Sequence, residues 1–177
     1  MIPAWAAMGP DRLAHVRRVV ALVDQWATAM GVPPRERHRW LRAAWLHDAL
    51  RDADRTELVR WAPDAAGPIE LWHGPAAAAR AMAEGETDQG ILDAVRFHSV
   101  GSADWDRAGR ILYCADFLEP GRTFDGAERA ALAKRLPTDF DGVFFEVVQR
   151  RLAYLIHSRW PLPDSTVRLW NSLASVG

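Results

Sequence analysis

The chain has 177 residues, 49% of them hydrophobic, which is enough for one core and short for two domains. Its net charge of −1 supplies no general attraction to nucleic acid or to a membrane surface. A single cysteine, Cys114, excludes an intrachain disulfide and suits a reducing compartment.

Taken in order, the segments read as helix after helix. From Asp11 to Met30, Leu13, Val16, Val19, Val20, Val23, Trp26, Ala27 and Met30 form one stripe at helical spacing, with His15 on its edge, and Gly31 with Pro33-Pro34 stops it. The second helix is expected over Glu36 to Leu50. In it Leu41, Ala44, Trp45 and Asp48 keep the i, i+3, i+4, i+7 pattern of a buried face, and Asp52 would extend that face by a turn. A short helix over Thr56 to Trp61 gives way to a loop through Pro68. The pair Gly74-Pro75 and the alanines behind it put His73 at a helix start. Thr87 is the expected cap of the next helix, where Ile91, Ala94, Val95 and His98 share one face, and Gly101 closes it. Ala108 to Leu118 carries Asp116 beside an apolar face. Glu119-Pro120-Gly121-Arg122 reads as a turn, and helices over Glu128 to Leu136, Asp139 to His157 and Asp164 to Leu173 complete the chain. No strand-like alternation interrupts them, so an all-α bundle of about eight to nine helices is expected. The nine Trp are expected in the core and in cleft walls.

Within this pattern His15, His47-Asp48, His73, His98 and Asp116 recur at helix edges and ends. An apolar helix has no packing reason to close on an ionisable pair such as His47-Asp48, because an unpaired buried carboxylate costs several kcal/mol or neutralises. Imidazole and carboxylate together are good ligands for divalent metals, and the ordered set reads as a metal site. Any one of these residues alone would read as a core histidine or a helix cap, and His38 and His157 are set aside on that ground. No run approaches the ~18 apolar residues of a membrane helix. The start Met1-Ile2-Pro3-Ala4-Trp5 lacks the basic stretch of a secretory signal, so a soluble, cytoplasmic protein is expected.

The chain also resembles a known family, the HD-domain phosphohydrolases, and within it the YqeK branch of symmetrical diadenosine tetraphosphate hydrolases. The resemblance is carried by Ala14-His15-Val16-Arg17-Arg18-Val19, by Ala43 to Asp52, by His73-Gly74-Pro75, by Val95 to Gly101, and by Ile111 to Arg122 with its Glu-Pro-Gly-Arg turn. Pro163-Asp164-Ser165-Thr166 followed by Asn171 also fits, whereas Ala53 to Leu71 matches poorly.

The resemblance implies one HD domain over residues 1–177, with ligands between about 11 and 122 and the helices of 128–177 completing the bundle. It implies a dinuclear centre, one metal on His15, His47, Asp48 and Asp116, the other on His73 and His98, with Asp48 bridging. A carboxylate has the two oxygens that spanning two metals requires. Mixed imidazole and carboxylate donors favour Fe, Mn or Zn over Mg or Ca, and the family points to iron. The implied reaction is attack of a metal-bridging hydroxide on an inner phosphate of diadenosine tetraphosphate, giving two ADP. Asp48 and Asp52 are the candidate catalytic carboxylates, with Asp52 either orienting a ligand histidine or assisting proton transfer. Arg51, Arg122 and Asn171 are the candidate substrate contacts. The alternatives are another phosphohydrolase on the same centre, such as a nucleotidase or phosphodiesterase, or a catalytically silent metal- and nucleotide-binding protein. The expected partner is a dinucleoside polyphosphate or other nucleotide. No nucleic-acid polymer and no membrane are expected, and a homodimer is a candidate assembly.

Overall fold

The computed structural model describes residues 1–122 and 125–175 of the chain. Among these it forms α1 (Pro10–Ala29), α2 (Pro34–Leu46), α3 (Arg55–Trp61), α4 (His73–Ala83), α5 (Gln89–Phe97), α6 (Arg107–Leu118), α7 (Gly126–Arg135), α8 (Phe140–His157) and α9 (Asp164–Ala174), with one 3-10 turn at Ile69–Leu71 and no strand. Among the described residues no helix is long and apolar enough to cross a membrane.

The helix starts follow from local chemistry. Pro10 and Pro34 occupy first-turn positions where a missing N–H costs nothing. The side chains of Asp54, Asp106 and Asp139 accept from backbone N–H groups one turn ahead or less, filling otherwise orphaned donors. The cap of α5 is Asp88 rather than Thr87: its carboxylate accepts from Ile91 N, and the charged acceptor is the stronger one. At the end of α1, Gly31 takes φ +61°, which lets Val32 N donate back to Ala27 O at 2.9 Å.

Packing sets α6 at the centre. It is buried along most of its surface and lies against α1, α2, α5, α7 and α8. The buried stripe of α1 is His15, Val16, Val19, Leu22, Val23, Trp26 and Ala27, so His15 belongs to the core face. In α2 the stripe is one residue off the expected one. Trp40, Ala43 and Ala44 are buried with His47 in register, while Leu41 and Trp45 are half-exposed. The helix also stops at Leu46 rather than Leu50, and the chain tightens into successive turns, with Ala49 N on Leu46 O and Arg51 N on Asp48 O. This early stop is what lets two adjacent residues, His47 and Asp48, both point inward. It also leaves Asp52 exposed.

An N-terminal strap holds that turn in place. Ala7 N donates to Ala49 O at 2.7 Å, Asp52 N donates to Ala7 O at 3.3 Å, and Gly9 N donates to Asp52 Oδ2 at 2.8 Å. Among the tryptophans, Trp26, Trp40 and Trp105 are buried in the core. None lines the large cleft described below, whose aromatic residues are Tyr113, Phe117 and Tyr154.

The α4–α5 contact is close enough to need a glycine. A Cβ on Gly74 would lie 2.9 Å from Arg96 O and 3.3 Å from His98 Nδ1. Gly74→Ala is therefore expected to cost about 1–3 kcal/mol by forcing α5 away from α4. Because His73 and His98 sit on either side of this contact, metal affinity should fall with stability. Urea denaturation and metal titration of the variant check both.

Candidate metal centre

Helices α1, α4, α5 and α6 and the turn after α2 deliver the ligands. His15 comes from the second turn of α1, His47 and Asp48 from the end of α2, His73 from the first residue of α4, His98 from the end of α5 and Asp116 from the last turn of α6. All six are buried. They fall into two groups that share Asp48: His15, His47 and Asp48, and Asp48, His73 and His98. Oδ1 of Asp48 lies 3.2 Å from His73 Nε2 and 3.4 Å from His98 Nε2, while Oδ2 lies 3.6 Å from His47 Nε2 and 3.7 Å from His15 Nε2. One oxygen faces each group, the arrangement a bridging carboxylate needs. Asp116 joins the first group through Oδ1, 3.2 Å from His15 Nε2.

The opposite nitrogens fix the tautomers. His47 Nδ1 donates to Ala44 O at 2.8 Å, His73 Nδ1 to Glu70 O at 2.7 Å and His98 Nδ1 to Val95 O at 2.8 Å. Carbonyls only accept, so each of these Nδ1 atoms carries the proton and each Nε2 presents a lone pair. His15 does the same against Glu119 Oε1 at 3.1 Å. Four lone pairs thus converge on carboxylate oxygens, with His73 and His98 Nε2 3.0 Å apart and His15 and His47 Nε2 3.4 Å apart. Acceptors facing acceptors in a buried site repel unless a cation lies among them. Two imidazoles at right angles on one ion, with bonds of about 2.0–2.1 Å, have nitrogens about 3 Å apart. The donor set fits a metal.

Burial disfavours protonation of two of the four imidazoles, His47 and His73. Burial pushes His47 down to about 4, and the charges of His98 and His15 add to this against the pull of Asp48 and Asp116. His73 is also lowered, first by burial. For His15 burial acts downward too, but Asp116, Asp48 and Glu119 outweigh it and the value rises. Burial opposes ionisation of Asp48 and Asp116, yet the surrounding histidines and, for Asp116, Arg151 and Arg122 hold both well below the usual carboxylate range. These directions make the metal-free protein acid-sensitive. An imidazole whose folded pKa lies below its free value of 6.5 is protonated first in the unfolded chain, so stability falls with pH between 6.5 and about 4. The two depressed carboxylates continue the loss below 3.8, and His15, raised, opposes it. Urea midpoints of chelated protein at about pH 7.5 and about pH 5 test this, and equal stabilities would contradict the burial argument.

Other expected contacts fall in different places. Asp52 accepts from Gly9 N and lies 4.0 Å from Arg12 Nε rather than against a ligand histidine. Orientation of His15 falls instead to Glu119, which is 2% exposed and also takes Arg18 Nε at 2.5 Å and Gly121 N at 2.6 Å. Glu119 was legible only as a turn anchor, and it fills both roles. Arg51 donates to Glu70 O at 2.9 Å and lines a small cavity of about 190 Å³ that reaches His73. Arg122 donates to Asp116 Oδ1 at 2.9 Å and lines a cleft of about 760 Å³ on the other side of the centre. Asn171 is exposed on α9 and is not among the residues lining that cleft, where Thr166 is the α9 contribution.

Three arginines had no signal in the sequence, and Ser99 was visible only as part of the Val95 to Gly101 element. Arg12 Nη1 donates to Asp48 Oδ2 at 2.8 Å. Arg151, from α8, donates to Asp116 Oδ2 at 3.4 Å and to Ser99 O at 3.2 Å, its guanidinium 4.1 Å from the centre of the Tyr113 ring. Arg129 is buried against Phe117. Ser99 Oγ is 3.1 Å from His98 Nε2 and 3.4 Å from His73 Nε2, at the join between centre and cleft.

Compared with known proteins, the chain superposes on a solved structure from Clostridium acetobutylicum, described as a predicted HD superfamily hydrolase involved in NAD metabolism. The TM-score is 0.75 at 21% identity, over 96% of this chain and 92% of that one. The two chains share one fold. No family model matches the chain. Curated relatives named symmetrical bis(5'-nucleosyl)-tetraphosphatase come from Bacillus subtilis, 31% identical over 107 residues, and from Halalkalibacterium halodurans, 30% identical over 105. A third, from Staphylococcus aureus, is 27% identical over 103 residues. These matches cover 60%, 59% and 58% of this chain, and the chain spans about half the length of the relatives, at 56%, 55% and 53%.

Proposed function

We propose that this chain is a metal-dependent hydrolase that cleaves diadenosine tetraphosphate symmetrically into two ADP. The observation that carries the reading is the convergence of four Nε2 lone pairs on the two oxygens of Asp48, an excess of acceptors that the one guanidinium donor there, Arg12 on Oδ2, does not match and that bound cations would satisfy. His15, His47, Asp48 and Asp116 would hold one metal, and His73, His98 and Asp48 the other, with iron favoured and Mn or Zn accommodated by the same donors. When bound, such a pair activates water and polarises phosphoryl oxygens.

The chain's own groups account for the rest. Glu119 and the Ala44, Glu70 and Val95 carbonyls hold each imidazole in one tautomer and one orientation, which spares the site reorganisation during the reaction. Arg122 and Arg151, in the cleft next to Asp116, supply guanidinium donors for phosphate oxygens on one side of the centre. Arg51 is the candidate on the His73 side. The large cleft has the size of a nucleotide-binding pocket, which runs about 300–1,000 Å³, and Tyr113, Phe117 and Tyr154 line it. The names of the relatives supply the substrate.

The test joins metal analysis to product analysis. Protein purified anaerobically is assayed for metals per chain and then incubated with diadenosine tetraphosphate. Two metals with ADP as sole product is the expected result. AMP with ATP, or no product, would overturn the substrate, and absence of stoichiometric metal would overturn the centre. Release of phosphate from mononucleotides in preference to the tetraphosphate would transfer the reading to a nucleotidase.

A further inference from the structure

The cleft beside the centre carries an unusual charge arrangement. Its described lining residues include Arg122, Arg129, Arg150 and Arg151 against the carboxylates Asp116 and Asp125. Arg150 is engaged by Glu128 at 2.6 Å and Glu146 at 3.1 Å, outside the cleft proper. Arg122 and Arg151 converge on one carboxylate. Arg122 Nη2 is 2.9 Å from Asp116 Oδ1, and Arg151 Nη1 is 3.4 Å from Asp116 Oδ2. The same Oδ1 lies 3.2 Å from His15 Nε2. Asp116 therefore stands between two consumers of its negative charge, the candidate metal group on one side and a pair of guanidinium groups on the other.

Asp116 and Arg151 are largely out of water, while Arg122 is 38% exposed at the cleft. The side chains of Asp116 and Arg151 are 11% and 19% exposed, so solvent screens the charges poorly. Charge drawn from Asp116 by a cation at His15 is no longer available to Arg122 and Arg151. Those guanidinium groups are fixed in place, Arg151 by Ser99 O and the Tyr113 ring, Arg122 by the carbonyl of Asp116 at 3.2 Å. Arg122 Nε has a second carboxylate at a distance, Glu119 Oε1 at 3.7 Å, and an anion in the cleft is a further source of negative charge for both guanidinium groups.

We propose that Asp116 is a shared counter-ion that couples the two sites: phosphate binding on Arg122 and Arg151 and cation binding at the His15 group each strengthen the other. The ligand class is the diphosphate portion of a nucleotide, which offers the several anionic oxygens that two convergent guanidinium groups engage. The coupling is reciprocal, since a ligand that relieves Asp116 of one partner raises its availability to the other. It rests on the metal-centre reading but not on the identity of the substrate cleaved.

The decisive measurement needs neither turnover nor a bound metal. ADP is titrated by calorimetry into metal-stripped wild-type, Asp116→Asn and Arg151→Met proteins, with inorganic pyrophosphate and adenosine as competitors. Asp116→Asn removes the charge that competes with phosphate for both guanidinium groups while keeping the side chain's shape. It is expected to bind ADP about three- to tenfold more tightly than wild type, as loss of a charged competitor predicts. Arg151→Met is expected to bind about tenfold more weakly. Pyrophosphate should compete and adenosine should not. A merely structural Asp116 would shift ADP affinity downward or leave it unchanged, and either result overturns the proposal, as does Arg151→Met binding at wild-type affinity. If Arg151→Met fails to melt cooperatively, Arg151→Lys replaces it and should bind ADP more weakly than wild type, with wild-type affinity overturning the proposal, while the Asp116→Asn result stands by itself. Wild-type protein that leaves diadenosine tetraphosphate intact while these shifts appear would overturn the substrate proposed above and keep the counter-ion. Cleavage to ADP without the Asp116→Asn gain would do the reverse.

Discussion

Asp48→Ala protein is expected to retain no stoichiometric metal and to lose turnover of diadenosine tetraphosphate by about a thousandfold or more, the rate equivalent of several kcal/mol of metal-supplied transition-state stabilisation. The reason is geometric. Asp48 is the only residue common to both ligand groups, and each of its oxygens faces a different pair of imidazoles at 3.2 to 3.7 Å. Removing it deletes an anionic donor from both groups and leaves the histidines with lone pairs and no central charge to offset a divalent cation. Asp48→Asn separates shape from charge, because the amide keeps one acceptor and loses the formal charge, and it should hold metal more weakly than wild type. Elemental analysis and a nucleotide assay on the same preparation check the prediction. Two metals per chain with full activity in Asp48→Ala would remove Asp48 from the centre.

Loss of the Glu119 side chain is expected to be the most damaging change outside the ligands themselves. Glu119 is almost fully buried and gathers His15 Nδ1, Arg18 Nε and Gly121 N on two oxygens, at 3.1, 2.5 and 2.6 Å. Breaking a fully buried charged pair by removing one partner costs about 3–5 kcal/mol, and because Arg18 is 38% exposed and screened by water the cost here falls below that range. Loss of the group that orients a ligand histidine weakens metal binding by about 10–100-fold. Glu119→Ala should therefore unfold at lower denaturant and need more metal to saturate. Glu119→Gln should recover part of the metal affinity, because its amide oxygen can still accept from His15 or Gly121, while the charged contact to Arg18 is lost. Paired urea and Mn²⁺ titrations read both effects. Equal metal affinity in wild type and Glu119→Ala would assign the residue to the turn alone.

The helical architecture was legible because it is written locally. Apolar residues at helical spacing, Pro at first turns and Gly after last turns act over a few residues, and the helix bounds they predict fall near the observed ones for α1, α4, α6, α8 and α9. The departures are also local in origin. Asp88 competes with Thr87 for the same orphaned N–H groups and wins on charge. The end of α2 shifts because the strap at Ala7 engages Ala49 and Asp52 across more than 40 residues, an interaction with no trace in the periodicity of α2 itself.

The sequence by itself determined which residue types were available as ligands and that four imidazoles and two carboxylates lie at helix edges and ends, where side chains reach inward without breaking a helix. It could not determine their relative placement, because six residues on four helices and one turn converge only through packing between distant segments. The tertiary structure decided that Asp48 divides its oxygens between two groups, that Glu119 orients His15 from 104 positions away, and that Arg151 of α8 meets Asp116 of α6. It also decided against Asn171 as a lining residue and moved Asp52 from the ligands to the start of α1. The physical reason is common to all of these. Periodicity reports which face of a helix is buried, whereas which group that face meets depends on where each helix stops and on its neighbours in space.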